Sequence, residues 1–301
     1  MLRVDDIRSF VAVADAGTLV AAAQKLGMSQ PTLSKAMARL ERGLGSQLIE
    51  RGARGVSLTQ AGELFMQHVR GIDLGLQDAL AAVRDMRQGL SGTVRIGVGM
   101  GIPQPLVTAA CRSLMRAPSV SLEIHGGMSD SLFRAVASGE TDFALTGVRP
   151  PGSEDLAWVP LFDDPMVAIA PAGHRLLGGK RASWEALAQE PWLVANVGTI
   201  TRAWFDQQFA QRGIAAPGRV IGLRSYPVAL ELGEALGALS LVPASTLRMP
   251  QALRGHKAIR TPADWASERK VGILHRPRGY LAPAAERLMR AFESEARKAW
   301  R

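Results

Sequence analysis

Apolar residues recur at helical spacing from the start of the chain. Ile7, Phe10, Val11 and Ala14 form one stripe, and Leu19, Ala22, Ala23 and Leu26 form another after a Gly17-Thr18 break. This predicts two short helices, with Thr18 capping the second. Gly27 ends that helix, and Ser29 is placed to cap a third. The first turn of the third helix tolerates Pro31, because the amide that proline lacks has no intrahelical partner there. Leu33, Ala36, Met37, Leu40 and Leu44 make its buried stripe, which leaves Gln30, Pro31, Ser34, Lys35, Ala38 and Arg42 facing outward. The pattern then changes. Leu48 to Arg51 and Val56 to Thr59 read as two short strands around the basic, glycine-rich Gly52-Ala53-Arg54-Gly55.

Thr59 can cap a long helix beginning near Gln60, along which Phe65, Val69, Ile72, Leu76, Ala79, Val83, Met86 and Leu90 follow at alternating steps of four and three. An apolar repeat averaging about 3.5 residues is the mark of a seam between two helices, so this element is expected to dimerise. The alternative is a helix lying on its own domain. Gly71, Gly75 and Gly89 each weaken the helix by up to about 1 kcal/mol relative to alanine, so partners rather than propensity must stabilise it.

A different regime opens at Ser91-Gly92. Strands are expected at 93–98, 121–125 and 141–146, with helices at 105–115 and 131–138 between them. A second set follows, with helices at 184–188, 201–211 and 228–236 and strands at 192–195, 219–223 and 239–242. A last strand at 270–274 and a closing helix at 283–300 complete it. Alternation of this kind implies parallel pairing in doubly wound layers, hence two small α/β lobes.

Two helices joined by a tight glycine-containing turn form the helix-turn-helix unit, whose second helix enters the major groove and reads bases near its N-terminus. Gln30 can pair bidentately with adenine, and Lys35 with guanine or phosphate. A small bundle with an ordinary solvated face would show the same helices. The two short strands decide between them, because they read as a wing from which Arg51 and Arg54 reach phosphate or the minor groove. Bulk charge adds little: of the net +9, residues 1–90 carry only +2, from 11 basic and 9 acidic side chains.

These residues resemble the LysR-type transcriptional regulators. The likeness runs through Phe10-Val11-Ala12-Val13-Ala14, Gly17-Thr18, Ala21-Ala22-Ala23 and Met28-Ser29-Gln30-Pro31-Thr32-Leu33-Ser34. It continues through Leu40-Glu41, Leu44-Gly45, Gln47-Leu48-Ile49-Glu50-Arg51 and Leu58-Thr59-Gln60-Ala61-Gly62, with Ile49 where the family usually has Phe. The resemblance implies a groove-facing set of Ser29, Gln30, Pro31, Ser34 and Lys35, supported by Thr32, Arg51 and Arg54. More loosely it covers Thr93-Val94-Arg95-Ile96-Gly97, residues 137–145 and residues 235–243, which look like the family's effector-binding module, similar in fold to periplasmic solute-binding proteins. The implied domains are a winged helix-turn-helix at 1–59, a linker and dimerisation helix at 60–90, a first effector lobe at 91–162 to which 268–301 return, and a second lobe at 163–267. The two crossovers fall near Phe162 and Ser267.

The effector is expected between the lobes, where strand ends and helix N-termini converge. The candidate residues are Gly99, Met100, Gly101, Ser129, Thr146, Thr199, Thr201 and Arg202, with Arg149 as a further charge partner. Free amides there suit an anion such as a carboxylate. Ordinary capping would select the same hydroxyls, and Asp130 beside the second turn keeps a neutral or cationic effector open. The family often places Ser or Thr just after the first strand, where this chain has Gly99-Met100-Gly101. That departure leaves a second reading, in which the α/β module serves only assembly.

No enzyme is expected. Gly97-Val98-Gly99-Met100-Gly101-Ile102 lacks the third glycine of a dinucleotide loop, and Walker, Gly-x-Ser-x-Gly and His-Glu-x-x-His motifs do not occur. The five histidines are scattered and the one cysteine, Cys111, lies in an apolar helical pattern, so neither cofactor nor metal is expected. The longest apolar runs fall far short of the roughly 20 residues of a bilayer span, and the first residues carry no signal-like block, so the cytoplasm is the expected compartment. Expected partners are double-stranded DNA, a small-molecule effector and further copies of the chain as homodimer or homotetramer, with RNA polymerase as an additional candidate.

Overall fold

The computed structural model describes residues 3–52, 55–88, 92–115, 120–150, 152, 155–249, 253 and 255–300. The chain divides into two units, Met1–Arg87 and Gln88–Arg301.

In the first unit, α1 (Val4–Ala16) ends on Gly17 in the left-handed region, φ +68°. The Thr18 hydroxyl then accepts the Ala21 N–H at 3.2 Å and starts α2 (Leu19–Lys25). After Gly27, at φ +65°, Ser29 caps α3 (Gln30–Leu44). Phe10, Val13, Leu33, Met37 and Leu40 are fully buried together between the three helices. A two-stranded antiparallel wing follows, β1 (Ile49–Gly52) with β2 (Gly55–Leu58), in register from Ile49 opposite Leu58 to Gly52 opposite Gly55. The Glu41 carboxylate accepts the Leu48 and Ile49 amides at 2.9 and 3.3 Å, so the end of α3 fixes where the wing begins. The Val56 N–H donates to the Gly17 carbonyl at 2.7 Å, tying the wing to the α1–α2 turn.

Thr59 caps α4 (Gln60–Gln88), accepting the Gly62 N–H at 3.0 Å while donating to the Gln47 carbonyl at 2.7 Å. A Cβ at position 62 would overlap the Leu48 carbonyl, so only glycine admits this approach of α4 to the wing. Phe65 stacks at a tilt on Phe10 with ring centroids 5.4 Å apart, and Val69 is buried in the same core. Beyond that point the apolar stripe leaves the core: Ile72 is 54% and Val83 61% exposed. Gly89 and Leu90 lie outside the described residues, and of Met86 only the helical backbone is described.

The described residues of the second unit form two five-stranded sheets. The first has the order β4-β3-β5-β12-β6, formed by Val120–Gly127, Gly92–Gly99, Phe143–Thr146, Lys270–His275 and Ala157–Asp163. Strict alternation sends Val94, Ile96, Phe143 and Leu145 to one face. There they bury the apolar stripes of α5 (Gln104–Leu114) and α10 (Pro283–Ala299). Ala144 and Leu274 meet α6 (Ser129–Ala137) on the other face. The second sheet has the order β11-β7-β10-β8-β9, formed by Lys257–Ala258, Met166–Ala170, Leu239–Pro243, Trp192–Ala195 and Val220–Leu223. α7 (Trp184–Ala188) and α8 (Ile200–Ala210) cover one face around Trp184, Trp192, Phe205 and Phe209. Leu230 and Ala229 of α9 (Tyr226–Leu236) cover the other. The chain leaves the first sheet after Asp163, enters the second at Met166, and returns between Ala258 and Lys270.

Parallel pairing holds for β3 with β4 and β5, and for β8 with β9 and β10. The remaining pairs differ from expectation: β12 runs antiparallel to β5 and β6, and β7 antiparallel to β10 and β11. Both sheets are therefore mixed. Strands β6, β7 and β11 have no counterpart in the sequence reading. Pro160 sits within β6, which argues against a strand in general, but β6 is an edge strand with a register shift opposite Val271/Gly272, where a missing amide is tolerated.

All six tryptophans fall at or beyond Trp158, so tryptophan fluorescence reports the second unit alone. Leu33→Ala should destabilise the first unit by about 2–5 kcal/mol. In urea, the helical circular dichroism of the variant should lose signal at lower denaturant while the fluorescence transition stays in place. A shift of both transitions together would show that the two units unfold as one.

Candidate functional site

The outward face of α3 is assembled by its first turn. Ser29 Oγ accepts the Thr32 N–H at 3.3 Å and lies 2.8 Å from the Thr32 hydroxyl, so these two side chains lock the helix start. Gln30, Pro31 and Lys35 are exposed beside them and Ser34 is half-buried on the same face. Arg39, on the flank of α3, forms an ion pair with the buried Asp6 of α1, donating from both Nε and Nη2. That partner raises the pKa of Arg39 above its ordinary value. The pairing sets the angle of α3 on α1 and removes Arg39 from the free basic surface. Lys35 and Arg42 remain on the face, and Arg51 projects exposed from β1. Arg54 lies outside the described residues.

In the second unit a cleft is lined from both lobes. Gly99, Met100, Gly101, Ser129 and Thr201, expected from the sequence, all line it. Three expected residues do not. Thr146 donates to the Val148 carbonyl at 2.9 Å and accepts the Trp158 indole N–H at 3.1 Å, fully buried. Thr199 caps α8, accepting the Arg202 N–H at 3.2 Å and donating to the Asn196 carbonyl at 2.8 Å. Arg202 pairs with Asp206 one turn along α8 at 2.9 Å. In each case a nearer partner wins the side chain, the outcome that ordinary capping and i,i+4 pairing favour. Arg149 is exposed and outside the lining, as is Asp130.

Sequence reasoning missed Arg224, Ser225, Tyr226 and Arg269, which line the same cleft. Arg269 stands two residues past the expected second crossover at Ser267, so that place was visible and the side chain was not. Its guanidinium lies flat against Gly147, where a Cβ would overlap it. A Cβ at Gly101 would stand 2.8 Å from Arg269 Nη2 and 3.3 Å from the Tyr226 hydroxyl. Gly147 and Gly101 thus leave room for the arginine, and Gly101 for the tyrosine as well. Burial pushes the Tyr226 pKa above its ordinary value, which keeps the hydroxyl protonated and able to donate.

Among the described residues no helix is long and apolar enough to cross a membrane, and no group of three His, Cys, Asp or Glu side chains is placed to hold a metal. Cys111 is half-buried on α5 against the core of the first lobe, and burial pushes its thiol pKa up.

The family model for bacterial regulatory helix-turn-helix proteins of the lysR family matches residues 4–63, and that for the LysR substrate binding domain matches residues 87–297. A probable hydrogen peroxide-inducible genes activator of Mycobacterium avium is 29% identical over 273 residues, covering 90% of this chain and 86% of that protein. The RuBisCO operon transcriptional regulator of Allochromatium vinosum is 28% identical over 291 residues, covering 96% and 95%. Among solved structures, a full-length OxyR variant from Pseudomonas aeruginosa aligns with a TM-score of 0.65 at 24% identity, over 97% of this chain and 98% of that one. Full-length CbnR in complex with target DNA aligns at 0.54 and 22% identity, over 98% and 99%. At such identities these two structures show the fold. Two family models that together span nearly the whole chain show more: the chain belongs to the LysR family of transcriptional regulators, with a DNA-binding helix-turn-helix and an effector-binding domain.

Proposed function

We propose that this regulator reads its operator with the exposed start of α3, Ser29, Gln30, Pro31, Ser34 and Lys35 facing the groove, with Gln30 as the base reader, while Thr32, Arg51 and Arg54 support the helix on the backbone. The organisation that goes with this reading is a DNA-binding domain at 1–59, a linker at 60–90, and lobes at 91–162 with 268–301 and at 163–267. The observation that carries it is the capped first turn of α3, which leaves one amide side chain and one cation exposed on a rigid helix beside an exposed wing arginine. A preorganised helix start loses little entropy on docking, so its contacts go into discrimination between bases.

The exposed Ile72 and Val83 support association through α4, as a homodimer or a tetramer built from dimers. Two recognition helices then address half-sites about one DNA turn apart. The reading is non-catalytic, and the regulator class of both matched families supports it. It places the protein with the chromosome in the cytoplasm and leaves RNA polymerase as the partner through which transcription is altered.

A small-molecule effector, for which a carboxylate is the expected class, occupies the cleft around Gly99, Met100, Gly101, Ser129 and Thr201 and biases a pre-existing equilibrium between states that differ in DNA affinity. One cysteine with a raised pKa supports a ligand as the signal, since an internal disulfide needs two thiols and an oxidation sensor needs a thiolate.

Mapping the protein on its own chromosome provides the operator for a direct test. There, Gln30→Ala should cut the preference for operator over random duplex by about 1–3 kcal/mol. Arg51→Ala should weaken both alike and reduce the salt slope by about one unit. Equal losses for both variants on every sequence, measured by fluorescence anisotropy from 50 to about 200 mM salt, would remove Gln30 from base reading. The seam predicts that Ile72→Asp with Val83→Asp shifts the sedimentation profile towards monomer and lowers operator affinity, with the tryptophan fluorescence of the second unit unchanged. A double variant that sediments as wild type would place dimerisation elsewhere.

A further inference from the structure

The cleft of the second unit is rich in hydrogen-bond donors and poor in charged acceptors. Among the described residues that line it none is Asp or Glu, whereas two, Arg224 and Arg269, are Arg. Asp130, which left the sign of the ligand open in the sequence, is exposed on α6 outside that lining. Arg269 is the buried one, its side chain 8% exposed. Its Nη1 donates to the Asp164 carbonyl at 3.0 Å and to the Asp164 carboxylate, and its Nη2 donates to the Gly101 carbonyl at 3.0 Å. The Nε–H has no partner among the described residues, and neither has the Tyr226 hydroxyl, which stands across Gly101 from the guanidinium. Both residues are half-buried and line the cleft, so these donors are free to meet an acceptor that a ligand brings.

Asp164 does not offset this from the ligand's side. It lies behind Arg269, 1% exposed and outside the lining, and its oxygens accept the Ser245 N–H at 2.7 Å and the Ser245 hydroxyl at 2.9 Å. A ligand in the cleft meets the edge of the guanidinium and not the carboxylate that balances it. The rest of the wall is apolar, with Met100, Val148, Leu193, Leu223 and Leu241.

We infer that this cleft selects a small oxyanion carried on an apolar body, with Arg269 and Tyr226 holding the oxyanion. The inference rests on the cleft being the effector site. An ammonium or other cation would face two arginines and, among the described lining residues, no carboxylate. Because Arg269 also holds the Gly101 turn of the first lobe and, through Asp164, Ser245 beside the second sheet, an acceptor drawn to this guanidinium pulls on both lobes at once.

The test uses the full chain, with thermal unfolding followed by tryptophan fluorescence at fixed ionic strength, and with sodium benzoate, butyrate, succinate and phosphate as probes. Benzamide and butyramide are their uncharged counterparts. A ligand that binds only the folded state raises Tm saturably. At least one carboxylate with an apolar body should do so, and its amide should not. Arg269→Gln should weaken that effect about tenfold or more, and Tyr226→Phe by about threefold to tenfold. Arg290→Gln, on the exposed face of α10, should leave it unchanged. Should Arg269→Gln fail to fold because Asp164 is left unpaired, the pair Asp164→Asn with Arg269→Gln removes both charges together and must show the same loss. The inference is overturned if no probe anion binds, if the amides bind as well as the acids, or if binding survives in both Arg269 variants. Operator binding by the wild type is measured alongside. Loss of anion binding with DNA recognition intact sinks this inference alone, and a saturable shift by an amide keeps the cleft as an effector site of another class.

Discussion

The second unit depends on one buried ion pair, Asp164 with Arg269, where the two strands of chain between the lobes cross. The outgoing crossover contributes Asp164 and the returning one Arg269, and the two segments are bonded along their length. The Asp164 N–H donates to the Arg269 carbonyl at 2.9 Å, the Met166 N–H to Ser267 Oγ at 3.0 Å, and the Trp265 indole to the Met166 carbonyl at 2.9 Å. Taking two charges out of water costs several kcal/mol per ion, an amount that Coulomb attraction alone often fails to recover. Here the lone pairs of Asp164 are filled by Ser245 as well as by Arg269, the condition under which a buried pair is tolerated. The result is specificity of position more than raw stability. Truncating one member leaves an uncompensated buried charge, while replacing both is far milder. A cleft wall fixed by such a pair is preorganised, since moving the guanidinium means breaking bonds in both lobes.

The same logic of local satisfaction organises the first unit. No single large core could orient α3, because the unit is small and its apolar cluster is confined to one face of each helix. Its geometry is instead fixed by polar groups at chain reversals. Thr18 and Ser29 start α2 and α3, and Glu41 holds the first amides of the wing. Thr59 starts α4, and Asp6 anchors Arg39. Each cap is worth of the order of 1 kcal/mol, and together with the Asp6–Arg39 pair they leave the start of α3 one orientation relative to the wing. Gly62 closes the arrangement by letting α4 approach the Leu48 carbonyl.

Helix positions were legible in the sequence because a stripe of period 3.6 and a capping residue act within a few residues of each other. Ser29 as the cap of α3 and the span of α7 are examples in which the local rule and the structure coincide. Strands β6 and β7 were not legible, because an edge strand containing Pro160 and a strand buried on both faces show no clean alternation. Their pairing is decided by β12 and β10, distant in the chain. The cleft divides the same way. Gly99, Ser129 and Thr201 follow from strand ends and helix starts, whereas Arg269 and Tyr226 reach it from segments whose meeting is a tertiary fact. Thr199, Arg202 and Thr146 show the opposite failure: the local rule identified a polar side chain correctly but could not tell that a neighbour already engaged it.

The long helix shows how a weak element becomes a dependable one. Gly71 and Gly75 are exposed, and a Cβ at either would meet nothing, so close packing within the chain does not require them. They cost α4 up to about 1 kcal/mol each against alanine, in the stretch where the apolar stripe emerges from the core. A helix with poor propensity and an exposed stripe is stabilised by whatever covers that stripe, so its folding and the proposed association are one equilibrium. In that reading the distance between recognition helices is well defined only in the assembled protein. An isolated chain would present a reading head without a fixed partner, and its hold on DNA would fall to what one helix and one wing supply. On the proposed association through α4, the glycines would make operator recognition depend on protein concentration, a dependence that alanines at the same two positions would weaken.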